Sequence, residues 1–176
     1  MNDQAALELV PPGVLTWLLL SLILMLAPII IGLLALFQPE MREQAFVLVL
    51  VGGLTTVIGF ALLLAATRRS VHCDGKVLDI RATLYRRRIA LDQIDLAQAR
   101  VLDLREHSEF RPWLKTNGFA VPGLAAGHFR DRRKNRLFCL VTDPKVLMLP
   151  LADGRRLLIS FRRPAAALDY LLGRRR

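Results

Sequence analysis

The chain has 176 residues, 53% of them apolar, with 25 basic and 15 acidic side chains and a formal net charge of +10. These are not evenly spread: residues 1–67 carry one basic and four acidic side chains, whereas residues 68–176 carry 24 basic and 11 acidic ones, a net +13. Such polarisation excludes a uniformly soluble globule, and two cysteines exclude a disulfide-stapled scaffold.

Residues 1–13 hold Asp3 and Glu8 but no Lys or Arg, and the apolar run behind them is longer than a signal peptide's apolar region. They read as a short cytoplasmic segment before a retained anchor, not as a cleaved leader. Val14–Phe37 and Ala45–Thr67 contain no charged residue. At 24 and 23 residues they extend about 36 and 34 Å as helices, enough to cross a hydrocarbon core of roughly 30 Å. Residues 14–67 are therefore expected to form a transmembrane helical hairpin. Gly32 in the first helix and Gly52, Thr56 and Gly59 in the second supply small side chains for close helix packing. Neither span carries an ionisable group, which argues against an ion or proton path. The connection holds Glu40, Arg42 and Glu43, while the second span runs into Arg68-Arg69. This asymmetry predicts a multi-pass protein with both termini in the cytoplasm. Arg outnumbers Lys by 21 to 4, which points to a bacterial genome rich in G and C; the expected location is the bacterial cytoplasmic (inner) membrane.

Beyond residue 68 the pattern changes to short strands. Residues 71–73 and 76–80 flank Asp74-Gly75, a dipeptide suited to a tight hairpin turn. Further strands are expected over 83–91 and 99–104. Residues 137–142, 146–151 and 156–161, punctuated by Asp143-Pro144 and Asp153-Gly154, are expected to form an antiparallel meander. Pro164 suits the first turn of a helix, Leu168, Leu171 and Leu172 fall on one face, and Gly173 is placed to stop it. Residues 106–129 show no sustained period and are expected to be one long, shaped connection.

Within that connection stands Gly118-Phe119-Ala120-Val121-Pro122-Gly123-Leu124-Ala125-Ala126-Gly127-His128-Phe129, followed by three strands and the helix opened by Pro164. This motif and element order resemble the bacterial pleckstrin-homology-like (PH) domain family, in its membrane-anchored branch with two N-terminal transmembrane helices. The resemblance implies an α+β membrane protein, its residues 68–176 forming a bent antiparallel β-sandwich or open barrel capped by a C-terminal helix. It implies no shared catalytic residues.

Two sets of residues merit attention as sites. Arg111, Lys115, Gly118, Pro122, Gly123 and Gly127 can form an anion cradle of backbone N–H groups, but the spacing lacks the Gly-Lys-Ser/Thr of a phosphate loop. A purely structural role for the glycines is the favoured reading. Arg68, Arg69, Arg130, Arg132, Arg133 and Lys134 are the candidates for anionic lipid, each worth on the order of 1 kcal/mol near a charged leaflet. For Arg68 and Arg69 the topology-setting role is preferred. Nucleic acid is a minor reading, since the basic domain carries no recognition motif. His72, Cys73, His128 and Cys139 include no compact ligand pair, so no metal site is expected. Neither His107-Ser108-Glu109 nor Ser160 has the surroundings of a catalytic group. The expectation is a non-enzymatic, cofactor-free binding or scaffold protein that contacts anionic lipids, a membrane-protein partner or another copy of itself. The alternative is an accessory subunit of a larger membrane enzyme or transporter.

Overall fold

The computed structural model describes residues 6–37 and 45–175. The connection with Glu40, Arg42 and Glu43, residues 1–5 and Arg176 lie outside this range.

Helix α1 spans Val14–Phe37 and helix α2 spans Ala45–Thr67. Both are long and apolar enough to cross a membrane. Large side chains such as Leu18, Leu22, Val49, Val57 and Phe60 stand exposed around them, as an apolar solvent would require. The two helices pack antiparallel, and the contact depends on two of the four expected small residues. A Cβ at Gly59 would overlap Leu24, and one at Gly52 would lie 3.5 Å from Ile31 Cδ1. Gly32 departs from expectation, because its missing side chain faces open space. Thr56 also has a local role: its hydroxyl donates to the Gly52 carbonyl at 2.8 Å, within its own helix.

Among the described residues, nine strands follow in two sheets. β1 (Arg69–Asp74), β2 (Val77–Ala82) and β3 (Tyr85–Ala90) form a three-stranded antiparallel sheet. Gly75 supplies the positive φ that the first turn needs. At the second turn Thr83 takes φ 61°, unusual for a β-branched residue, and its N–H is tied to the Arg68 carbonyl at 3.0 Å. The small sheet thus starts at the end of α2.

The larger sheet comprises β4 (Arg100–Asp103), β5 (Leu114–Val121), β6 (Leu124–Arg130), β7 (Arg136–Val141), β8 (Lys145–Pro150) and β9 (Arg156–Ile159), in the order β4-β8-β9-β7-β6-β5. Two expectations are corrected here. Residues 106–129 are not one long connection: Leu114–Val121 and Leu124–Arg130 pair as a hairpin around Pro122-Gly123. The last three strands are not a meander: β9 inserts between β7 and β8 and runs parallel to β7. Ser160 holds that order. Its hydroxyl donates to the Asp143 carbonyl at 3.0 Å and accepts from the N–H groups of Thr142 and Asp143 at 3.1 and 3.2 Å. The chain leaving β7 is bound sideways, opening a lane for β9.

Side chains of the central strands alternate between two apolar clusters. Phe138 and Leu140 join Leu78, Ile80, Ile89 and Phe161 between the sheets, whereas Leu137 and Cys139 join Leu102, Phe110, Phe129 and Met148 on the outer face. Burial on both faces explains why β7 reads as a continuous apolar run. Helix α3 (Pro164–Arg175) places Ala167 and Leu171 in the inter-sheet cluster and continues past Gly173, which is not its stop.

The segment before α1, which the sequence sets apart from residues 68–176, is built into the same body. Val10 N–H donates to the Ser160 carbonyl at 3.0 Å, Arg162 N–H donates to the Glu8 carbonyl at 2.8 Å, and Leu9 pairs antiparallel with Phe161. Thr142 Oγ1 donates to the Val10 carbonyl at 2.7 Å, and Leu7 is buried in the core. At the other side of the helix entrance, Thr16 Oγ1 donates to the Pro122 carbonyl at 2.9 Å.

The glycine pair across β5 and β6 is a sharp test of this packing. A Cβ at Gly127 would lie 2.8 Å from Gly118 Cα and 2.9 Å from both the Asn117 carbonyl and Tyr85 Cδ2, at a residue whose φ is 107°. Gly127→Ala is expected to destabilise the protein by on the order of 2 kcal/mol, seen as a lower unfolding midpoint of the full chain in detergent. Gly53→Ala, where the added methyl meets nothing, is the unaffected control.

Candidate functional site

Strand β3 alternates, and the alternation divides its arginines. Arg86 and Arg88 point away from the large sheet toward Asp79 on β2, while Tyr85, Arg87 and Ile89 face it. Arg86 makes two hydrogen bonds to the Asp79 carboxylate, at 2.9 and 2.6 Å. That bidentate pairing, with the charges of Arg86, Arg88 and Arg81, holds Asp79 below the usual carboxylate range. One carboxylate therefore serves three guanidinium groups on the outer face.

On the inner face the balance differs. Tyr85 donates to Asn117 Oδ1 at 2.9 Å and lies edge-on to His128, which meets the Phe138 ring at a centroid distance of 5.1 Å. Arg87 extends over the other side of this group, 5.8 Å from the Phe138 centroid, with 17% of its side chain exposed. Cross-strand register places His128 opposite Phe138 and, two residues further toward the sheet end on the same face, Arg130 opposite Arg136. Arg155, just before β9, completes the ring. The result is a cleft of about 320 Å³ walled by Arg87, Arg130, Arg136, Arg155, His128 and Asn117. Asp153 is the acidic group at its edge, 3.1 Å from Arg155 and 3.9 Å from Arg87. Burial, followed by the positive charges of Arg87 and Arg155, holds His128 below its ordinary range.

The structure separates the residues expected to act together. Arg68 is exposed at the end of α2, but Arg69 is engaged in the fold: its guanidinium donates to the carbonyls of Ala66 and Val10 at 3.0 and 3.3 Å. Arg130, Arg132, Arg133 and Lys134 lie at the end of β6 opposite Gly123, roughly 20 Å of strand away from the contact with Thr16. Their turn is closed by hydrogen bonds. Buried Asp131 accepts from Asn135 N–H, from the Asn135 amide and from Arg156, at 2.8, 2.8 and 3.0 Å. Arg132 lies over Trp113 at 4.8 Å, whereas Arg130 turns into the cleft.

The glycine motif resolves into backbone geometry. Pro122 followed by Gly123 at φ 80° has the residues of a type II turn, and a Cβ at Gly123 would overlap the Thr16 hydroxyl. Gly118 and Gly127 face each other across the hairpin. Of the six residues expected to form a loop site, Arg111, Pro122 and Gly123 meet at a groove of about 360 Å³, together with Leu124 and Thr142. Lys115, Gly118 and Gly127 do not line it. Among the described residues no three His, Cys, Asp or Glu side chains gather as metal ligands. Cys139 is fully buried, and burial pushes its thiol well above the usual range, while Cys73 is half-exposed on β1.

Sequence reasoning missed Arg87, Arg136, Arg155 and His128 as one group. The period of two over 85–90 was the available signal for Arg87. The approach of Arg155 depends on β9 lying beside β7, which local pattern does not encode. Comparison with known proteins finds no matching family model, curated protein or solved structure.

The charge around His128 has a measurable consequence. Its folded-state pKa lies below its unfolded value of roughly 6.5, so the unfolded chain binds more protons between the two, and stability falls as pH drops through that window. The unfolding midpoint is expected to fall as pH drops below roughly 6.5, with a shallower slope in His128→Gln. An NMR titration should place His128 below free histidine and move it upward in Arg87→Gln.

Proposed function

We propose that this chain is a non-enzymatic, membrane-anchored binding module. Its helical hairpin crosses a bacterial inner membrane twice and carries a PH-like domain on the cytoplasmic side, where basic surfaces contact anionic lipid, a protein partner or both. The observation that carries the reading is the double attachment of the hairpin. Residues 6–13, before α1, and β1, after α2, belong to one folded body, which fits both ends of the hairpin lying on one side of a bilayer. The concentration of 24 basic residues after the second helix favours the cytoplasm as that side. Two sheets followed by a C-terminal helix support the PH-like assignment, from which the parallel β7–β9 pair departs.

Half-exposed Cys73 gives a direct test, since Cys139 is shielded by burial. A membrane-impermeant maleimide should label Cys73 in inverted vesicles and leave it unmodified in intact spheroplasts. Labelling from outside would reverse the proposed orientation. Replacing Arg130, Arg132, Arg133 and Lys134 with Gln should weaken the salt-sensitive association of the protein with anionic liposomes; unchanged association would remove this turn from the lipid surface.

A second reading, an accessory subunit of a larger membrane enzyme or transporter, is favoured by Gly32 and Gly53, whose small faces are open to an additional helix. Gly52 and Gly59 hold the hairpin itself, so they cannot report on a partner. Crosslinking in membranes followed by recovery should yield a stoichiometric partner that Gly32→Leu or Gly53→Leu releases. Recovery of the protein alone or as self-associated copies, with lipid, supports the autonomous module.

A further inference from the structure

We propose that the cleft between the two sheets binds the phosphate group of an anionic ligand through the guanidinium groups of Arg87, Arg130, Arg136 and Arg155. The inference rests on reading the chain as a binding module and does not require the ligand to be a lipid.

The register carries the argument. Arg130 and Arg136 are directly opposed on neighbouring strands, an arrangement that destabilises a sheet when both side chains are positive. Neither has an acidic partner among the described residues. The adjacent carboxylate, Asp131, is turned inward and used by Asn135 and Arg156. On the far wall Arg87 is half-buried over Phe138 and repelled by Arg155, with Asp153 shared between them. Four arginines thus line one cleft with one carboxylate at its edge, whereas Asp79 holds the arginines of the opposite face. An anion in the cleft relieves this repulsion.

The chemistry of the donors selects phosphate. Two oxygens of a carboxylate are satisfied by one guanidinium fork, while a phosphate presents further oxygens to forks arriving from several directions. Asn117 spends its oxygen on Tyr85, which leaves its amide N–H groups for the ligand. A volume of about 320 Å³ accommodates a phosphate with part of an attached organic group. The phosphate can come from a lipid headgroup or from a soluble ester.

Full-length protein reconstituted in phosphatidylcholine nanodiscs provides the test. Thermal unfolding is followed while inorganic phosphate or pyrophosphate is added, against chloride at equal ionic strength. A parallel series uses nanodiscs containing phosphatidic acid. Arg130→Gln/Arg136→Gln is compared with Arg132→Gln/Arg133→Gln, which removes the same charge from the same turn but outside the cleft. The phosphate-dependent rise in midpoint should survive in the second pair and weaken by roughly tenfold or more in apparent affinity in the first. Arg136→Gln should be at least as stable as the parent without phosphate, because the opposed charge is gone; this separates lost binding from lost folding. A response to soluble phosphate identifies an aqueous ligand, and a response confined to phosphatidic acid identifies a headgroup; either supports the cleft. Equal losses in the two pairs would overturn the cleft and leave general lipid attraction intact. No response to any of these probes would also overturn it.

Discussion

The antiparallel pairing of residues 8–10 with 160–162 is the constraint on which the rest depends. It joins the chain ahead of the first helix to the strand end that follows β9, across about 150 residues of sequence. Each hydrogen bond contributes only about 1 kcal/mol net, but the contacts are concerted. Val10 N–H reaches Ser160, and its carbonyl accepts from Thr142 and Arg69. Ser160 in turn sets the path of the chain between β7 and β8. The same few residues therefore hold the strand order of the large sheet and the seat of the hairpin.

Charge is organised around this frame with little waste. Asp79 serves the outer arginines of the small sheet, Asp131 the β6–β7 turn and Arg156, and Asp153 the edge of the cleft. Arg100 and Arg156 spread over Phe110, so part of the excess positive charge packs on an aromatic face, in the case of Arg156 alongside its bond to Asp131. After these local pairings, Arg130 and Arg136 retain no acidic partner among the described residues, and they stand side by side.

Long periodic signals were the legible ones. Two charge-free runs became α1 and α2 because a long uninterrupted apolar run needs no tertiary information to be read as a helix, and Asp74-Gly75 and Pro164 marked a turn and a helix start through local backbone chemistry. The hairpin of β5 and β6 was hidden because β5 is an edge strand with much of its surface exposed, so it lacks the apolar alternation that marks a half-buried strand. The parallel insertion of β9 was invisible for a different reason: it is a pairing of strands that are not neighbours in sequence, which no local period reports. The cleft inherits that difficulty, since its four arginines come from three separate regions and meet only when the strand order is known. Gly118 and Gly127 were visible as a motif, but their purpose, letting two backbones and Tyr85 share one space, belongs to packing.

Attachment at both ends of the hairpin also has a mechanical meaning. A domain hung from one flexible strand would tumble freely beneath its anchor, whereas this one is bonded to the entry of α1 through Thr16 and Val10 and to the exit of α2 through Arg68 and Arg69. The hairpin then acts as a shaft and the β domain as its head. Under the proposed membrane anchoring the helices tilt in response to bilayer thickness, and such a tilt swings the arginine cleft through the same arc. The mouth of the cleft thus keeps a fixed bearing relative to the helices, and in that proposed setting its angle to the membrane surface would follow the thickness of the lipid around them.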